Sequence, residues 1–204
     1  VDGFFGATPE MLVRLDSGLV TSRVLAGTIR RTGDKDRDTA LAGALAHSSK
    51  DLEEHEYAVR SVADALATHC TSMNLPEAPF VLHLPNVMHL ATDVTGVLRD
   101  RSGILSLVES LHPSAAVGGT PTADAVAMIA ELEGFERKRY AGPVGWISAS
   151  GDGEWGIGLR SAQLESDGRT AKMFAGCGIV ADSDPADELA ESDAKLIPLR
   201  EALS

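Results

Sequence analysis

The chain has 204 residues, 44% of them hydrophobic and 24% charged, and carries a formal net charge of −12. That length and balance describe an ordinary soluble globular domain with room for a sizeable core. The acidic excess argues against nucleic acid, whose phosphates call for clustered Lys and Arg, and no apolar run approaches the roughly 20 residues of a membrane helix.

No basic-then-apolar leader stands at the N-terminus, and the chain opens on Val1 inside what already reads as a strand, Phe4-Phe5-Gly6. Met11–Leu15 and Leu19–Val24 alternate around Asp16-Ser17-Gly18, which predicts a hairpin. Leu25-Ala26-Gly27-Thr28 then leads into a polar stretch. Helices are predicted from about Thr39 to His47, and from Ser49 as N-cap to about Met73. Pro76 and Pro79 close that region. Phe80–Leu84 and Val87–Leu98 read as strands, and Ile104–Leu111 as a short helix. The stretch 112–121 reads as an irregular loop, and Pro121 suits the first turn of a following helix. Pro143–Ala149, Gly156–Glu165 and Thr170–Ala175 read as strands, and a last helix runs from about Pro185 to the end. Hairpins and separate helices mix without repeats or linkers, so the expected class is α+β, antiparallel sheets packed with helices in one domain over 1–204.

The two cysteines, Cys70 and Cys177, fit no zinc spacing and are too few for a disulfide scaffold. They read as reduced thiols of a cytoplasmic protein.

Two acidic helical motifs stand out, Lys50-Asp51-Leu52-Glu53-Glu54-His55 and Glu188-Leu189-Ala190-Glu191-Ser192-Asp193-Ala194-Lys195. Asp51 and Glu54 lie three residues apart, as do Glu188 and Glu191, so each pair shares one helix face. Solvated acidic faces are common on amphipathic helices. Two such faces brought together would instead repel unless a cation sat between them, and they would make an oxygen-rich cage for Mg²⁺. A bound Mg²⁺ would also let so acidic a protein grip an anionic substrate.

Eight stretches in order resemble one family, the chorismate-utilising enzymes, which include isochorismate synthases, salicylate synthases and the first components of anthranilate and aminodeoxychorismate synthase. They are Phe5-Gly6-Ala7-Thr8-Pro9-Glu10, Ala26-Gly27-Thr28, Lys50-Asp51-x-x-Glu54-His55, and Leu111-His112-Pro113 with Gly118-Gly119-x-Pro121. Further on come Tyr140-Ala141-Gly142-Pro143-Val144-Gly145, Arg160-Ser161, Ala175-Gly176-Cys177-Gly178-Ile179-Val180, and the Glu188/Glu191/Lys195 helix. The resemblance spans nearly the whole chain and covers the C-terminal part of the family's catalytic domain. The family's base lysine has no match here.

A glutamate after Thr8-Pro9 ordinarily reads as a solvated turn residue. The resemblance makes Glu10 the general acid that protonates the leaving hydroxyl of chorismate, a role that needs a raised pKa. It makes Glu54 and Glu191 the Mg²⁺ ligands, with Asp51 and Glu188 as further ligands or water holders, and Lys195 a contact to the same carboxylate region. Arg160 and Tyr140 would hold the pyruvyl ether carboxylate, Arg160 through its bidentate fork and from an apolar alternating strand. Gly176 and Gly178 would bring backbone N–H groups to a carboxylate, with Cys177 replacing the family's usual alanine. Gly27 and Thr28 would add contacts. His89, between Met88 and Leu90, reads equally as a satisfied core histidine or, by resemblance, a polar contact beside the substrate ring.

Ala116 stands where, by resemblance, members that stop at isochorismate carry alanine and members that eliminate pyruvate or add ammonia tend to carry threonine. This favours an isochorismate synthase, feeding menaquinone or siderophore synthesis, over a salicylate, anthranilate or aminodeoxychorismate synthase. A reading of another class is a non-catalytic module that binds a carboxylate ligand or a partner protein. The expected substrate is chorismate, the expected cofactor Mg²⁺, and the expected state a monomer or weak homo-oligomer. Without a base, the 204 residues alone are expected not to turn chorismate over at a useful rate, and to leave an unpaired edge and an apolar face near Phe4–Thr8.

Overall fold

The computed structural model of the chain describes residues 3–99 and 102–204, so Val1, placed in a strand from sequence, lies outside the described residues. At the expected hairpin Ser17 and Gly18 both take positive φ, 51° and 86°. Two left-handed residues match the right-handed twist of the strands they join. They turn β2 (Met11–Asp16) back into β3 (Leu19–Arg30), and the Ser17 N–H donates to Asp152 Oδ1 at 2.9 Å.

β3 does not stop at Val24. It continues through a bulge at Gly27 to Arg30 and pairs along its length with β6 (Val87–Leu98). This long pair is the axis of a seven-stranded antiparallel sheet. Its order is β4 (Cys70–Asn74), β6, β3, β2, β8 (Gly153–Ile157), β7 (Pro143–Ile147), with β5 (Phe80–His83) beside the other end of β6.

One face of this sheet carries the core. Leu12, Val13, Leu15, Val20, Val24 and Val94 pack against Ala58, Val62 and Leu66 of α2 (Ser49–Ala67) and Ile104, Leu107 and Leu111 of α3 (Ile104–Leu111). The four-residue spacing of the α2 positions gives the single apolar stripe that such a helix needs. Met88 and Leu90 form a second cluster with Leu45 of α1 (Lys35–Ala46). On the opposite face Arg23 grips Asp93 through two bonds of 2.6 and 2.8 Å, and the cross-strand partners Leu19 and Val97 stay half exposed.

Several elements differ from the sequence reading. α1 begins at Lys35 rather than Thr39, because Asp34 caps it by accepting from the Arg37 N–H. The N-cap of α2 is Ser48, not Ser49, and the helix ends at Ala67, not Met73. Beyond Leu66 the apolar stripe runs out, and Cys70–Asn74 gains more by pairing with the end of β6, where Cys70 packs on Gly96. The loop 112–121 contains a one-turn helix, α4 (Ala115–Gly118), and Pro121 is the N-cap of α5 (Thr122–Leu132) rather than its first turn.

The strand expected over Gly156–Glu165 is two strands in two sheets. The chain breaks after Ile157, where the Leu159 N–H bonds back to the Ile157 carbonyl at 2.7 Å and Arg160 takes a φ of 45°. β9 (Ser161–Leu164) then forms the centre of a small sheet between β1 (Gly3–Gly6) and β10 (Ala171–Phe174). The outer edge of β1 has no partner strand among the described residues, and Phe5 is partly exposed there. α6 (Pro185–Ala202) closes the fold, capped by Asp184. The α+β class is as expected. Among the described residues no helix is long and apolar enough to cross a membrane, and both cysteines are free thiols.

Leu66 is fully buried between α2 and the sheet. Leu66→Ala should cost about 2–5 kcal/mol and Leu66→Met under about 1.5 kcal/mol, read as a fall in the urea midpoint at constant slope.

Candidate active site

The bulge in β3 starts the site. Gly27 takes a φ of 71°, and a β-carbon there would lie 2.9 Å from Asp51 Cβ. Only glycine lets the strand turn this way with the first turn of α2 lying directly on it. α6 meets α2 from the far end of the sequence. Lys50 pairs with the buried Glu188 across 138 positions. Lys195 pairs with Glu191 at 2.6 Å, one helical turn away, and donates to the Gly176 carbonyl at 3.0 Å.

The segment 176–178 threads between the helices. The Cys177 thiol donates to the Glu188 carbonyl at 3.5 Å and accepts from the Ser192 hydroxyl at 3.6 Å. A β-carbon at Gly178 would lie 2.0 Å from Glu54 Oε1, so the missing side chain is the space the Glu54 carboxyl occupies.

The electrostatics follow from this crowding. The Glu54 carboxyl is raised to about 6, first by burial and then by the negative charge of Glu191; Lys195 opposes, while Asp51 and Glu188 add to the rise. Burial would raise Glu188 too, but its bonds from Lys50, Ser183 and Cys177 outweigh it and hold it below the ordinary value.

Glu10 sits where the chain enters β2. Its N–H donates to Thr8 Oγ1 at 3.2 Å and its carbonyl accepts from the Ile157 N–H at 3.1 Å. The side chain is buried rather than solvated, and burial lifts its carboxyl to about 7 against the opposing charges of Lys195 and Arg160. A carboxyl with that pKa keeps a proton to donate near neutral pH.

Arg160, expected within a strand, stands instead in the β8–β9 break. Its Nη2 donates to His89 Nε2 at 2.7 Å, and His89 Nδ1 lies 3.1 Å from Thr28 Oγ1. Burial, Arg160 and Lys195 together lower His89 to about 3, with only the Gly27 carbonyl opposing, so the ring is neutral. Tyr140 is buried with its ring stacked on Phe174 at 5.1 Å, and its hydroxyl lies 3.1 Å from where a Gly176 β-carbon would be. Burial raises its phenol, so it remains a hydrogen-bond donor.

The contacts thus bring together Glu10, Gly27, Thr28, Asp51, Glu54, His89, Tyr140, Arg160, Gly176, Gly178, Glu188, Glu191 and Lys195. Ala116 stands on the exposed side of α4, which packs on α2 and α5, and none of these bonds reaches it. Lys50 is the residue that sequence reasoning passed over. Its signal was available, because a cation in the first turn of a helix opposes the helix dipole and calls for a partner.

Arg160 and Lys195 line one side of a cavity of about 580 Å³. Phe5–Pro9, Leu84–Val87 and Leu199 give it otherwise apolar walls. A larger groove of about 790 Å³ runs over the outer sheet face past Glu10, Arg14, Arg23 and Trp146, away from both lysines, so Glu10 borders this groove while Arg160 and Lys195 border the smaller cavity. The smaller cavity has the cations an anionic ligand needs.

The donor set suits Mg²⁺. Glu54 has no lysine of its own, and its raised carboxyl marks an excess of negative charge that a dication would relieve. Among the described residues no group of three or more His, Cys, Asp or Glu side chains stands in ligating array, since Glu188 turns to Lys50 and Glu191 to Lys195. Mg²⁺ binds through one or two carboxylates and retained waters, so Glu54 and Glu191 suffice as candidate ligands.

The profile of the family described as "Chorismate binding enzyme" matches residues 1–204. The chain is 44% identical over 201 residues to the salicylate biosynthesis isochorismate synthase of Pseudomonas aeruginosa, covering 98% of this chain and 42% of that protein. Among solved structures, DhbC of Bacillus anthracis superposes with a TM-score of 0.95 at 40% identity, over 99% of this chain and 54% of that one. The menaquinone-specific isochorismate synthase MenF of Escherichia coli gives 0.86 at 30% identity, over 100% and 46%. The chain therefore spans about half the length of the relatives it matches.

Two outcomes check this site without any ligand. Gly178→Ala should destabilise the protein much less in a Glu54→Ala background than in the wild type, with a coupling of roughly 0.5–3 kcal/mol in a double-mutant cycle of urea unfolding. Glu10 has a folded pKa of about 7 against a reference of 4.5, so the folded state holds its proton more tightly than the unfolded state. Stability from this group is full below the reference value and falls as pH rises through the folded one. Glu10→Gln should therefore gain on the wild type between pH 4 and pH 8 by on the order of 3 kcal/mol, compared by denaturation at both.

Proposed function

The chain belongs to the chorismate binding enzyme family, and from that premise we propose that the protein carrying it is a Mg²⁺-dependent isochorismate synthase. In the proposed reaction water adds at ring carbon 2 of chorismate, the hydroxyl at carbon 4 leaves as water, and the ring double bonds shift. The observation that carries this reading is the buried carboxyl of Glu10, lifted to about 7 beside two cations. Hydroxide is a poor leaving group, so the departing oxygen needs a proton from a positioned acid. The same acid must not be ionised by the cations that hold the substrate's anions.

Arg160 and Tyr140 would bind the pyruvyl ether carboxylate, and the 580 Å³ cavity beside Arg160 and Lys195 is of ordinary size for a small ligand. The N–H groups around Gly176 and Gly178, with Thr28, would complete the hold on the substrate. Mg²⁺, bound by Glu54 and Glu191, would neutralise the ring carboxylate. Asp51 and Glu188 would orient its waters, and the Lys50 pair keeps Glu188 fixed for that. The base that takes the proton of the attacking water is not assigned to any of these side chains. Alanine at position 116 supports water addition without pyruvate loss, as does the likeness to proteins named isochorismate synthases.

The test is chromatography of chorismate incubated with the protein and Mg²⁺. Isochorismate should form, and a lactate dehydrogenase assay should find no pyruvate; pyruvate release would move the protein to the salicylate and anthranilate synthases. Glu10→Gln should lower kcat by about 10²–10⁴-fold. Wild-type activity should decline as pH rises through about 7, because the working form of Glu10 is the protonated one.

A further inference from the structure

Two ring nitrogens and three side chains decide what His89 does. Arg160 is always protonated and can only donate. Its Nη2 lies 2.7 Å from His89 Nε2, so Nε2 must present its lone pair. A neutral imidazole with a bare Nε2 carries its proton on Nδ1. Nδ1 lies 3.1 Å from Thr28 Oγ1, which can accept that proton's bond. Both nitrogens are then in use, and the ring is almost wholly buried at 4% exposure. No nitrogen remains to touch a substrate ring.

Arg160 is held just as firmly at its backbone. Its φ of 45° is one that side-chain-bearing residues rarely adopt. Its carbonyl accepts from the Ala7 N–H at 3.3 Å, and a β-carbon on Gly6 would lie 2.6 Å from that carbonyl oxygen. The root of the side chain is therefore pinned by β1, and its tip by His89. Among the described residues no carboxylate stands within ion-pair distance of the guanidinium, which leaves the rest of its fork free for an incoming anion.

We infer that His89 is a positioning residue: its bare Nε2 holds the Arg160 guanidinium in place for a substrate carboxylate, and Thr28 Oγ1 accepts a bond from the proton left on Nδ1. The inference rests on the reading of Arg160 as the carboxylate-binding residue. An arginine surrenders rotamer freedom when it is fixed. A neutral acceptor removes that freedom beforehand without cancelling the charge, whereas an aspartate in the same place would compete with the ligand.

The experiment has a spectroscopic arm and a kinetic arm. Two-dimensional ¹H–¹⁵N spectra of the imidazole nitrogens at pH 7 should show His89 as the Nδ1–H tautomer, and Arg160→Met, which removes the donor to Nε2, should turn it into a mixture. An Nε2–H tautomer or an imidazolium in the wild type overturns the inference. In the kinetic arm, His89→Phe should raise the KM for chorismate roughly 10- to 100-fold with kcat nearly unchanged. His89→Gln, whose amide oxygen can accept in place of Nε2, should restore most of the loss. Wild-type KM in His89→Phe, or a loss confined to kcat, overturns the inference. Should the Phe variant not fold, the wild-type and Arg160→Met tautomers carry the comparison. Absence of chorismate turnover with the Nδ1–H tautomer in place sinks the proposed reaction and leaves the His89–Arg160 clamp standing.

Discussion

Four carboxylates from two helices far apart in sequence converge, and the rest of the site depends on how that repulsion is managed. Two like charges about 4 Å apart cost on the order of 4 kcal/mol at the effective dielectric of a partly buried site. Two lysines offset part of it. Lys50 crosses from α2 to Glu188, and Lys195 stays within α6 on Glu191 while also gripping the 176–178 segment. The Lys50–Glu188 pair is a structural tie between the first and last thirds of the chain. The two pairs also leave an imbalance at one place. Glu54 has burial and three neighbouring carboxylates against it, and only the shared Lys195 in its favour. Unrelieved negative charge at one buried oxygen pair is the condition under which a hard dication adds most.

The helices can approach only because the backbone yields at two glycines. At Gly27 the strand bulges into a left-handed turn that seats Asp51. At Gly178 the absent side chain is the room for the Glu54 carboxyl. A methyl group at either position would have to displace a carboxylate. Packing and chemistry are therefore the same constraint here, and the glycines lie in the sequence as close to the acids' geometry as the acids themselves.

Much of this was legible before the fold was known. The hairpin at Ser17-Gly18, the long β6, the start of α6 at Pro185 and the paired acids of α2 and α6 follow from local pattern. The i, i+3 spacing of Asp51 with Glu54 and of Glu188 with Glu191 places each pair on one face whatever the tertiary context. What was not legible depended on partners distant in sequence. β4 reads as the tail of a helix because only β6 makes it a strand. Arg160 reads as a strand residue because the break that frees it is fixed by Gly142, Ala7 and Gly6. His89 is a core residue by exposure, and its bonds to Thr28 and Arg160 were not legible because Arg160 lies 71 positions away.

The protonated state of Glu10 is the least expected consequence of these ties. A carboxyl near a lysine and an arginine would ordinarily be driven well below its reference value, by 1–3 units for a close partner. Glu10 goes the other way. Burial is what raises it, and burial prevails because neither cation has swung to the carboxylate to form a pair. Neither cation is free. Lys195 is spent on Glu191 and the Gly176 carbonyl, and Arg160 is turned to His89. Each partner keeps a positive charge at a distance where it lowers Glu10 a little without ionising it. The same two residues can then hold an anion while a neutral acid stands beside it. A protonated acid and anion-binding groups coexist within electrostatic reach of one another because the cations were committed elsewhere first.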